Sequence, residues 1–320
     1  MMRAGSRRVL RFMVVAIVAA GCSNPRRSAG LTLASGAEGS GAGVLSGTVV
    51  AYGTNTPVSG ATVRLGGAAS VSNSTGQFTL TNVAESGSGV ATVALPGYVY
   101  RGVALSLAHV RTGVTLDVLR DAAPFSLDFY RQIARNSGAS STLLPTARWT
   151  VAPSFYFQRL TVDTGLPVPD QIIQAIQANF ALSVPEIAGG RFNVAASAVG
   201  DGPRAAQDGW VNVTFYTVIP TGSLGSASVG GNSGTMVIRY DPALVSNGST
   251  NPYNCSSIAL QVADDLITST MGFYQTVNAI VDEFSGPGCP GVGRPANTVY
   301  HTALMYSRPV GNIDPDVDPV

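Results

Sequence analysis

Histidine chemistry is restricted in this sequence, because it contains only two histidines, His109 and His301, which lie far apart along the chain. A hydrolytic zinc site holds the ion with three protein ligands, commonly histidines, and leaves one position open for water. Two histidines in different predicted domains cannot supply three such ligands. His301 could partner a nucleophilic serine, but the sequence contains no Gly-x-Ser-x-Gly motif. We therefore exclude a three-histidine zinc site and expect His301 to be structural.

The acidic residues do not form an evident catalytic pair either. Asp264 and Asp265 are adjacent on a predicted helix, so their side chains diverge by about 100°. Asp314, Asp316 and Asp318 alternate near the C-terminus, as at the beginning of a calcium loop. The glycine and the terminal glutamate that such a loop requires are missing, which makes calcium a weak alternative. We expect no bound metal and no cofactor.

The composition indicates a folded chain with more than one domain. Hydrophobic residues make up 45% and charged residues 12% of the 320 positions, which allows a sizeable core. The 37 glycines and the short valine-rich runs indicate many strands and turns. All 19 basic residues are arginine, and no basic run follows Arg26-Arg27, so the sequence lacks the footprint of nucleic-acid binding.

The N-terminus is the clearest targeting signal. A basic stretch, 1–11, precedes the apolar run 12–20 and then Gly21-Cys22, which is typical of a secretory signal and too short for a membrane anchor. The ending resembles a bacterial lipobox, although Ala19 stands where leucine is preferred. The resemblance implies that residues 1–22 are a signal peptide, that Cys22 is lipidated, and that the chain is anchored to the outer membrane of the cell envelope. The alternative is an ordinary signal peptide with a chance cysteine.

Two further cysteines, Cys255 and Cys289, remain if Cys22 carries lipid. In an oxidising compartment they are expected to form a disulfide, whose loop of about 35 residues would add about 3–4 kcal/mol of stability. A metal site built on these two cysteines is the weaker alternative. Residues 23–43 are rich in Ser, Gly and Ala, a composition that predicts a flexible linker.

Residues 44–121 show short strands separated by turns, which predicts a β-sandwich. The segments Pro-Val-Ser-Gly-Ala-Thr-Val-Arg-Leu, Ser-Thr-Gly-Gln-Phe-Thr-Leu and Pro-Gly-Tyr resemble the carboxypeptidase regulatory-like, or transthyretin-like, domain. Related sandwiches bind carbohydrate, so glycan binding is a fold-level analogy here. Packing or a spacer role is favoured for the aromatic residues of this stretch, which are Tyr52, Phe78, Tyr98 and Tyr100.

The remainder of the chain, 122–320, is predicted to form an α+β domain. The helical spacing of apolar residues predicts one helix over 170–180 and a second over 256–273. Strands are predicted at 191–198, 210–218 and 235–240. Strand, helix, strands and a long helix follow each other in the order of a zincin protease core.

A specific resemblance lies within the second predicted helix. The segment 265–276 resembles the metzincin helix, His-Glu-x-x-His-x-x-Gly-Phe-x-His-Thr, with Gly272-Phe273 at the Gly-Phe position where the helix ends. The resemblance assigns the zinc ligands and the general base to four positions, which hold Asp265, Leu266, Ser269 and Gln275 in this chain. One carboxylate, a hydroxyl and an amide are a poor zinc site, and leucine cannot accept a proton from water.

These features favour a non-catalytic cell-surface lipoprotein, a pseudo-metalloprotease whose β-sandwich is a binding or spacer module. Its expected partners are the membrane, through the lipid anchor, and an extracellular glycan or protein. Two alternatives remain. One is a carbohydrate-binding surface lipoprotein. Both tryptophans, Trp149 and Trp210, lie outside the predicted sandwich, which counts mildly against this alternative. The other is a secreted metallopeptidase with atypical zinc ligands.

Overall fold

A computed structural model describes residues 43–108, 111–138, 140–219, 223–240, 258–274, 294 and 296–320. The described residues form two compact units. The sandwich unit contains the described residues up to 147, Tyr274, and those from 304 onward. The sheet-and-helix unit contains those between 148 and 273 and those from 294 to 303. No helix of the described ranges is long and apolar enough to cross a membrane.

The sandwich unit contains two sheets that share one hydrophobic core. A three-stranded sheet has the order β4-β1-β7, and a four-stranded antiparallel sheet has the order β3-β2-β5-β6. β1 runs antiparallel to β4 and parallel to β7. The strands are β1 (Gly43–Ala51), β2 (Thr62–Leu65), β3 (Ala68–Val71), β4 (Gln77–Val83), β5 (Ser88–Ala94), β6 (Arg101–Ser106) and β7 (Val114–Val118).

Alternation of side chains along these strands builds the core. In β4, Phe78 and Leu80 are buried, whereas their neighbours Gln77 and Thr79 are exposed. Successive side chains of a strand point to opposite faces, so every second residue can enter the space between the sheets. Buried residues of both sheets form a single hydrophobic cluster. The predicted β-sandwich is therefore confirmed as an architecture.

The sandwich unit also contains a short helix, α1 (Leu127–Arg135), for which the sequence analysis had no prediction. Ser126 caps its N-terminus by accepting a hydrogen bond of 3.3 Å from the N–H of Phe129. Asn136 ends it in the left-handed conformation, a position that asparagine tolerates better than most residues. Residues 122–147 and 304–320, which the sequence analysis assigned to the second predicted domain, group with the sandwich strands.

The sheet-and-helix unit is built on a five-stranded sheet with the order β11-β12-β10-β8-β9. The four strands from β12 to β9 are parallel, and β11 is antiparallel at one edge. The elements are β8 (Ser154–Gln158), α2 (Asp170–Ile187), β9 (Ala196–Gly200), β10 (Trp210–Tyr216), β11 (Gly225–Gly230), β12 (Ser233–Arg239), α3 (Ile258–Thr270) and α4 (Ala296–Ser307). The last four residues of α4 are assigned to the sandwich unit.

Both α2 and α3 lie on the same face of this sheet. Phe180 of α2 stacks on Phe155 and Phe157 of β8, with ring centroids 4.7 Å and 6.1 Å apart. On the same face, α3 packs on β11 and β12. The predicted helix over 170–180 continues to Ile187 because Val184 and Ile187 extend its buried stripe. The face of the sheet opposite α2 and α3 is called the open face below.

Candidate functional site

The helix that resembles the metzincin motif ends in a Schellman turn. The N–H of Phe273 donates to the carbonyl of Thr268 at 3.2 Å, and the N–H of Gly272 donates to that of Ser269 at 3.1 Å. Gly272 has φ +97°, which glycine adopts more readily than any other residue. The predicted end of this helix at 273 is therefore slightly late, since the last helical residue is Thr270. The Gly-Phe part of the resemblance corresponds to a helix C-cap.

Trp149 fixes the same end of the helix from outside. Its indole N–H donates a hydrogen bond of 2.7 Å to the carbonyl of Thr270, and its side chain is fully buried. The last carbonyls of a helix have no partner within the helix, and a buried carbonyl without a partner is costly. Trp149 thus satisfies one of them and anchors the C-terminal turn of α3 within the sheet-and-helix unit.

Leu266, at the position that the resemblance assigns to the general base, packs between α3 and the sheet. Its side chain is 8% exposed. A Cβ atom at Gly225 of β11 would lie 2.8 Å from Leu266 Cδ1 and 2.5 Å from Val262 Cγ1, so only glycine allows this close approach. The arrangement provides an apolar contact at this position and no group that could accept a proton.

The other predicted site residues are described only in part. Ser269 is half-buried on α3, and Asp265 lies on the same helix by its backbone. Gln275, the predicted third ligand position, lies outside the described residues. The lipidation site Cys22 and the predicted disulfide pair Cys255 and Cys289 also lie outside them, so these remain predictions.

His301, which was expected to be structural, lies buried on α4. Its side chain is fully buried, and Nδ1 lies 2.8 Å from the carbonyl oxygen of Asn297, one turn earlier on the helix. The ring of Tyr300 meets it edge-on at a centroid distance of 5.4 Å. His109 lies outside the described residues. Within the described ranges, no three His, Cys, Asp or Glu side chains gather as a potential metal site.

The three aspartates near the C-terminus pair with arginines. Asp314 pairs with Arg131 and Asp316 with Arg308, whereas Arg101 pairs with Asp318 and also lies 3.5 Å from Asp316. Bidentate or charge-assisted pairs of this kind are strong when they are shielded from water. The weak calcium alternative therefore has no support in the arrangement of these carboxylates.

Burial and charge act in opposite directions on the arginines of this cluster. Burial lowers the pKa of Arg308, but attraction to Asp316 and Asp117 outweighs burial and raises it. For Arg135, which is fully buried beside Tyr130, burial prevails and lowers the pKa of the guanidinium. These groups bind one another and hold the sandwich unit together, so we assign the cluster a structural role.

Most of the four aromatic residues singled out in the sandwich are at least half-buried. Phe78 is 3% exposed and belongs to the core, and Tyr98 packs against that core. Arg308 lies over the ring of Tyr52 at 5.2 Å. Only Tyr100 of this set is largely exposed, at 44%. Core packing, the favoured reading of these residues, agrees with their positions.

The open face of the five-stranded sheet carries the most distinctive polar arrangement. The strand register aligns one residue from each strand in a row across it: Ser228, Thr235, Asn212, Tyr156 and Ala198. Arg204, in the loop before β10, lies above this row. Its Cζ is 3.7 Å from the centroid of the Trp210 ring and 5.6 Å from that of Tyr156. The sequence analysis missed Arg204, and its nearest signal was Trp210 in a predicted strand.

Comparisons with known proteins leave the family open. No family model matches the chain, and no curated protein matches it. Similar solved structures include two type II cohesin–X–dockerin complexes from Acetivibrio cellulolyticus. For an N-terminal interface mutant the identity is 22% over 24% of this chain and 58% of that chain, with a TM-score of 0.20. For a C-terminal interface mutant the values are 23%, 23% and 51%, with a TM-score of 0.18. The chain thus spans little more than half the length of these matched chains, and scores this low identify no function.

Proposed function

We propose that this chain is a non-catalytic lipoprotein of the bacterial cell surface, whose sheet-and-helix unit is a zincin-like scaffold without a zinc site. The leader supports the surface location, because its apolar run and Gly21-Cys22 resemble a lipobox. The β-sandwich then serves as a spacer or binding module between the lipid anchor and the rest of the chain.

The order of elements supports the zincin-like scaffold. Strand β8, helix α2, strands β9 to β12 and helix α3 follow one another in the order that the resemblance implies. The glycine turn at the end of α3 also favours this scaffold, because Gly272, with φ +97°, stands where the metzincin motif has its Gly-Phe pair. Generic helix capping also explains this turn, so the order of elements is the stronger argument.

The environment of Leu266 is the main argument that the chain does not catalyse hydrolysis. Hydrolysis at a zincin-like centre needs a base beside the metal that accepts a proton from water. At that position this chain has an aliphatic side chain, 8% exposed and packed against β11. Leucine contributes to the packing of the helix on the sheet, and it offers no acceptor for a proton.

The alternative of an active metallopeptidase requires ligands from elsewhere in the chain. Histidine is the obvious replacement, yet the chain has only His109 and His301. Of these two, His301 is buried on α4, with Nδ1 2.8 Å from the carbonyl oxygen of Asn297. An active enzyme would therefore need both an unusual ligand set and a base other than Leu266, and we do not favour it.

Zinc content of the mature chain, residues 23–320, tests the proposal. The protein would be exposed to zinc, dialysed extensively and subjected to elemental analysis, with hydrolysis of casein measured in parallel. We expect well under one zinc per chain and no hydrolysis. One zinc per chain together with peptidase activity would contradict the absence of catalysis.

A restored variant tests the scaffold separately. Asp265→His, Ser269→His and Gln275→His together place histidines at the three positions that the resemblance assigns to ligands. We expect this variant to bind about one zinc per chain, as a three-histidine set does. A control with Asp264→His, Ser269→His and Gln275→His places the first two histidines five residues apart, on different sides of the helix, and should bind far less zinc. Equal zinc binding by both variants, or by neither when both are folded, would argue against a zincin-like scaffold.

A further inference from the structure

The open face of the five-stranded sheet is lined by hydroxyl, amide and aromatic side chains. Val211, Val213 and Phe215 of β10 are fully buried on the helix face, and the residues between them point the other way. On the open side Ser228 and Thr235 are exposed, and their hydroxyl oxygens lie 2.7 Å apart. A sheet face built only for packing would have apolar residues at these positions.

Arg204 is positioned over this face by several contacts. Its guanidinium lies 3.7 Å from the Trp210 ring centroid, and Nη2 donates a hydrogen bond of 2.5 Å to Gln207. Its carbonyl accepts a hydrogen bond of 2.9 Å from the side-chain amide of Asn212. The same loop is held down at Gly202, whose carbonyl accepts the hydroxyl of Tyr156 at 2.6 Å. These contacts position both the backbone and the side chain of Arg204 over the open face.

The charge of Arg204 has no carboxylate partner among the described residues. Its side-chain contacts are the two rings and the neutral amide of Gln207. This differs from Arg101, Arg131 and Arg308, each of which pairs with an aspartate. The guanidinium lies over the Trp210 ring and carries five N–H donors, so donors other than the one that contacts Gln207 remain for a ligand.

These features fit one chemical class of ligand. A guanidinium fork binds a carboxylate through two parallel hydrogen bonds, and fixing it beforehand reduces the entropy lost on binding. The exposed hydroxyls of Ser228 and Thr235 match the hydroxyl groups of a sugar, and the half-buried ring of Tyr216 can contact its C–H surface. The strand positions of the open face include no aspartate or glutamate; in the loop that carries Arg204, Asp201 pairs with Arg159 at 3.7 Å and Asp208 is exposed.

We propose that the open face around Arg204 binds a carboxylate-bearing polysaccharide, with Arg204 contacting the carboxylate of a uronic acid unit. Trp210 and Tyr156 position the guanidinium, and Thr235 and Ser228 extend the hydrogen-bonding surface along the row. The site lies on the face of the sheet opposite α3, so it is independent of whether α3 binds zinc. It also differs from the sandwich, where the sequence analysis considered glycan binding.

Binding of the mature chain to defined polysaccharides tests this proposal. The probes are polygalacturonate, which has a carboxylate on each sugar, dextran, which is neutral, and dextran sulfate, which carries sulfate. We expect polygalacturonate to bind and to change the fluorescence of Trp210, whereas dextran does not bind. Stronger binding of dextran sulfate than of polygalacturonate would overturn the assignment, and so would absence of polygalacturonate binding by folded protein.

Two matched variants locate the site. Arg204→Gln removes the guanidinium, and we expect it to weaken polygalacturonate binding by about 10-fold or more, as loss of a charge-assisted pair does. Arg191→Gln makes the same change of charge at an exposed arginine of the same unit, and it should retain affinity within about 2-fold. Far-ultraviolet circular dichroism would verify that both variants are folded. Equal loss in both, or no loss in Arg204→Gln, would refute the proposed site.

Discussion

Arg101 of β6 donates two hydrogen bonds of 2.8 Å to the two carboxylate oxygens of Asp318, although 217 positions separate the two residues. Both side chains are almost completely buried, with exposed fractions of 4% and 8%. Beside this pair the C-terminal segment runs along β6 as a short parallel bridge between Gly102 and Val317. The last residues of the chain are therefore an integral part of the sandwich unit.

Replacement of Asp318 should destabilise the sandwich unit strongly. Asp318→Ala leaves the guanidinium of Arg101 buried with weaker partners, since Asp316 is 3.5 Å from it and Asp117 is 3.8 Å. Loss of one member of a buried ion pair commonly costs 3–5 kcal/mol, and because these two aspartates remain we expect about 3 kcal/mol. Urea unfolding followed by circular dichroism measures the effect. Asp121→Ala, at an exposed aspartate of the same unit, serves as the control and should change stability by less than about 0.5 kcal/mol.

Replacement of Gly272 should weaken the end of α3. Gly272→Ala places a Cβ on a residue with φ +97°, which is strained for any residue other than glycine, and we expect a loss of about 1–2 kcal/mol. Thermal unfolding followed by tryptophan fluorescence is suitable, because Trp149 and Trp210 both lie in the sheet-and-helix unit. Gly230→Ala is the control, since a Cβ there meets no atom within 4 Å. If Gly272→Ala were as stable as the wild type, the prediction that a side chain strains this turn would be wrong.

The stability of the sheet-and-helix unit should depend on pH through Asp163. Desolvation would raise the pKa of this carboxyl, but hydrogen bonds from the hydroxyl and N–H of Thr217 and from the N–H of Val218 lower it from 3.8 to about 2. Because the folded-state pKa is lowered, the ionised group stabilises the fold above about pH 4. That contribution is lost as the pH falls from about 4 to 2.

The variant Asp163→Asn isolates this contribution. It should melt at a lower temperature than the wild type at pH 7, and the difference should shrink progressively between pH 4 and pH 2. Melting curves of both proteins across this range measure it, with Asp208→Asn as a control at an exposed aspartate of the same unit. A difference between Asp163→Asn and the wild type that is constant from pH 7 to pH 2 would exclude titration of Asp163 as its cause.

Local patterns in the sequence predicted the elements of the fold well. Alternation around Phe78 and Leu80 indicated a strand with one buried face, and the structure has β4 there. The apolar spacing that began at Ile172 predicted a helix, and the structure extends it to Ile187. Both signals arise from side chains within a few residues of one another, whose directions follow from the period of a strand or a helix. Likewise, a sequence with only two histidines cannot form a three-histidine zinc site, whatever its fold.

Tertiary structure decided which distant residues meet. The pairing of Arg101 with Asp318 and the position of Arg204 above Trp210 depend on strand order and register, which no short segment encodes. The same holds for Leu266. Its helix was predicted from local spacing, whereas its contact with Gly225 follows from the placement of β11 beside α3. The sequence by itself thus determined the periods, the turns and the residues available for chemistry. Long-range packing determined which arginines are neutralised by aspartates and that Arg204 is not, because a charge is paired only where the fold brings an opposite charge within reach.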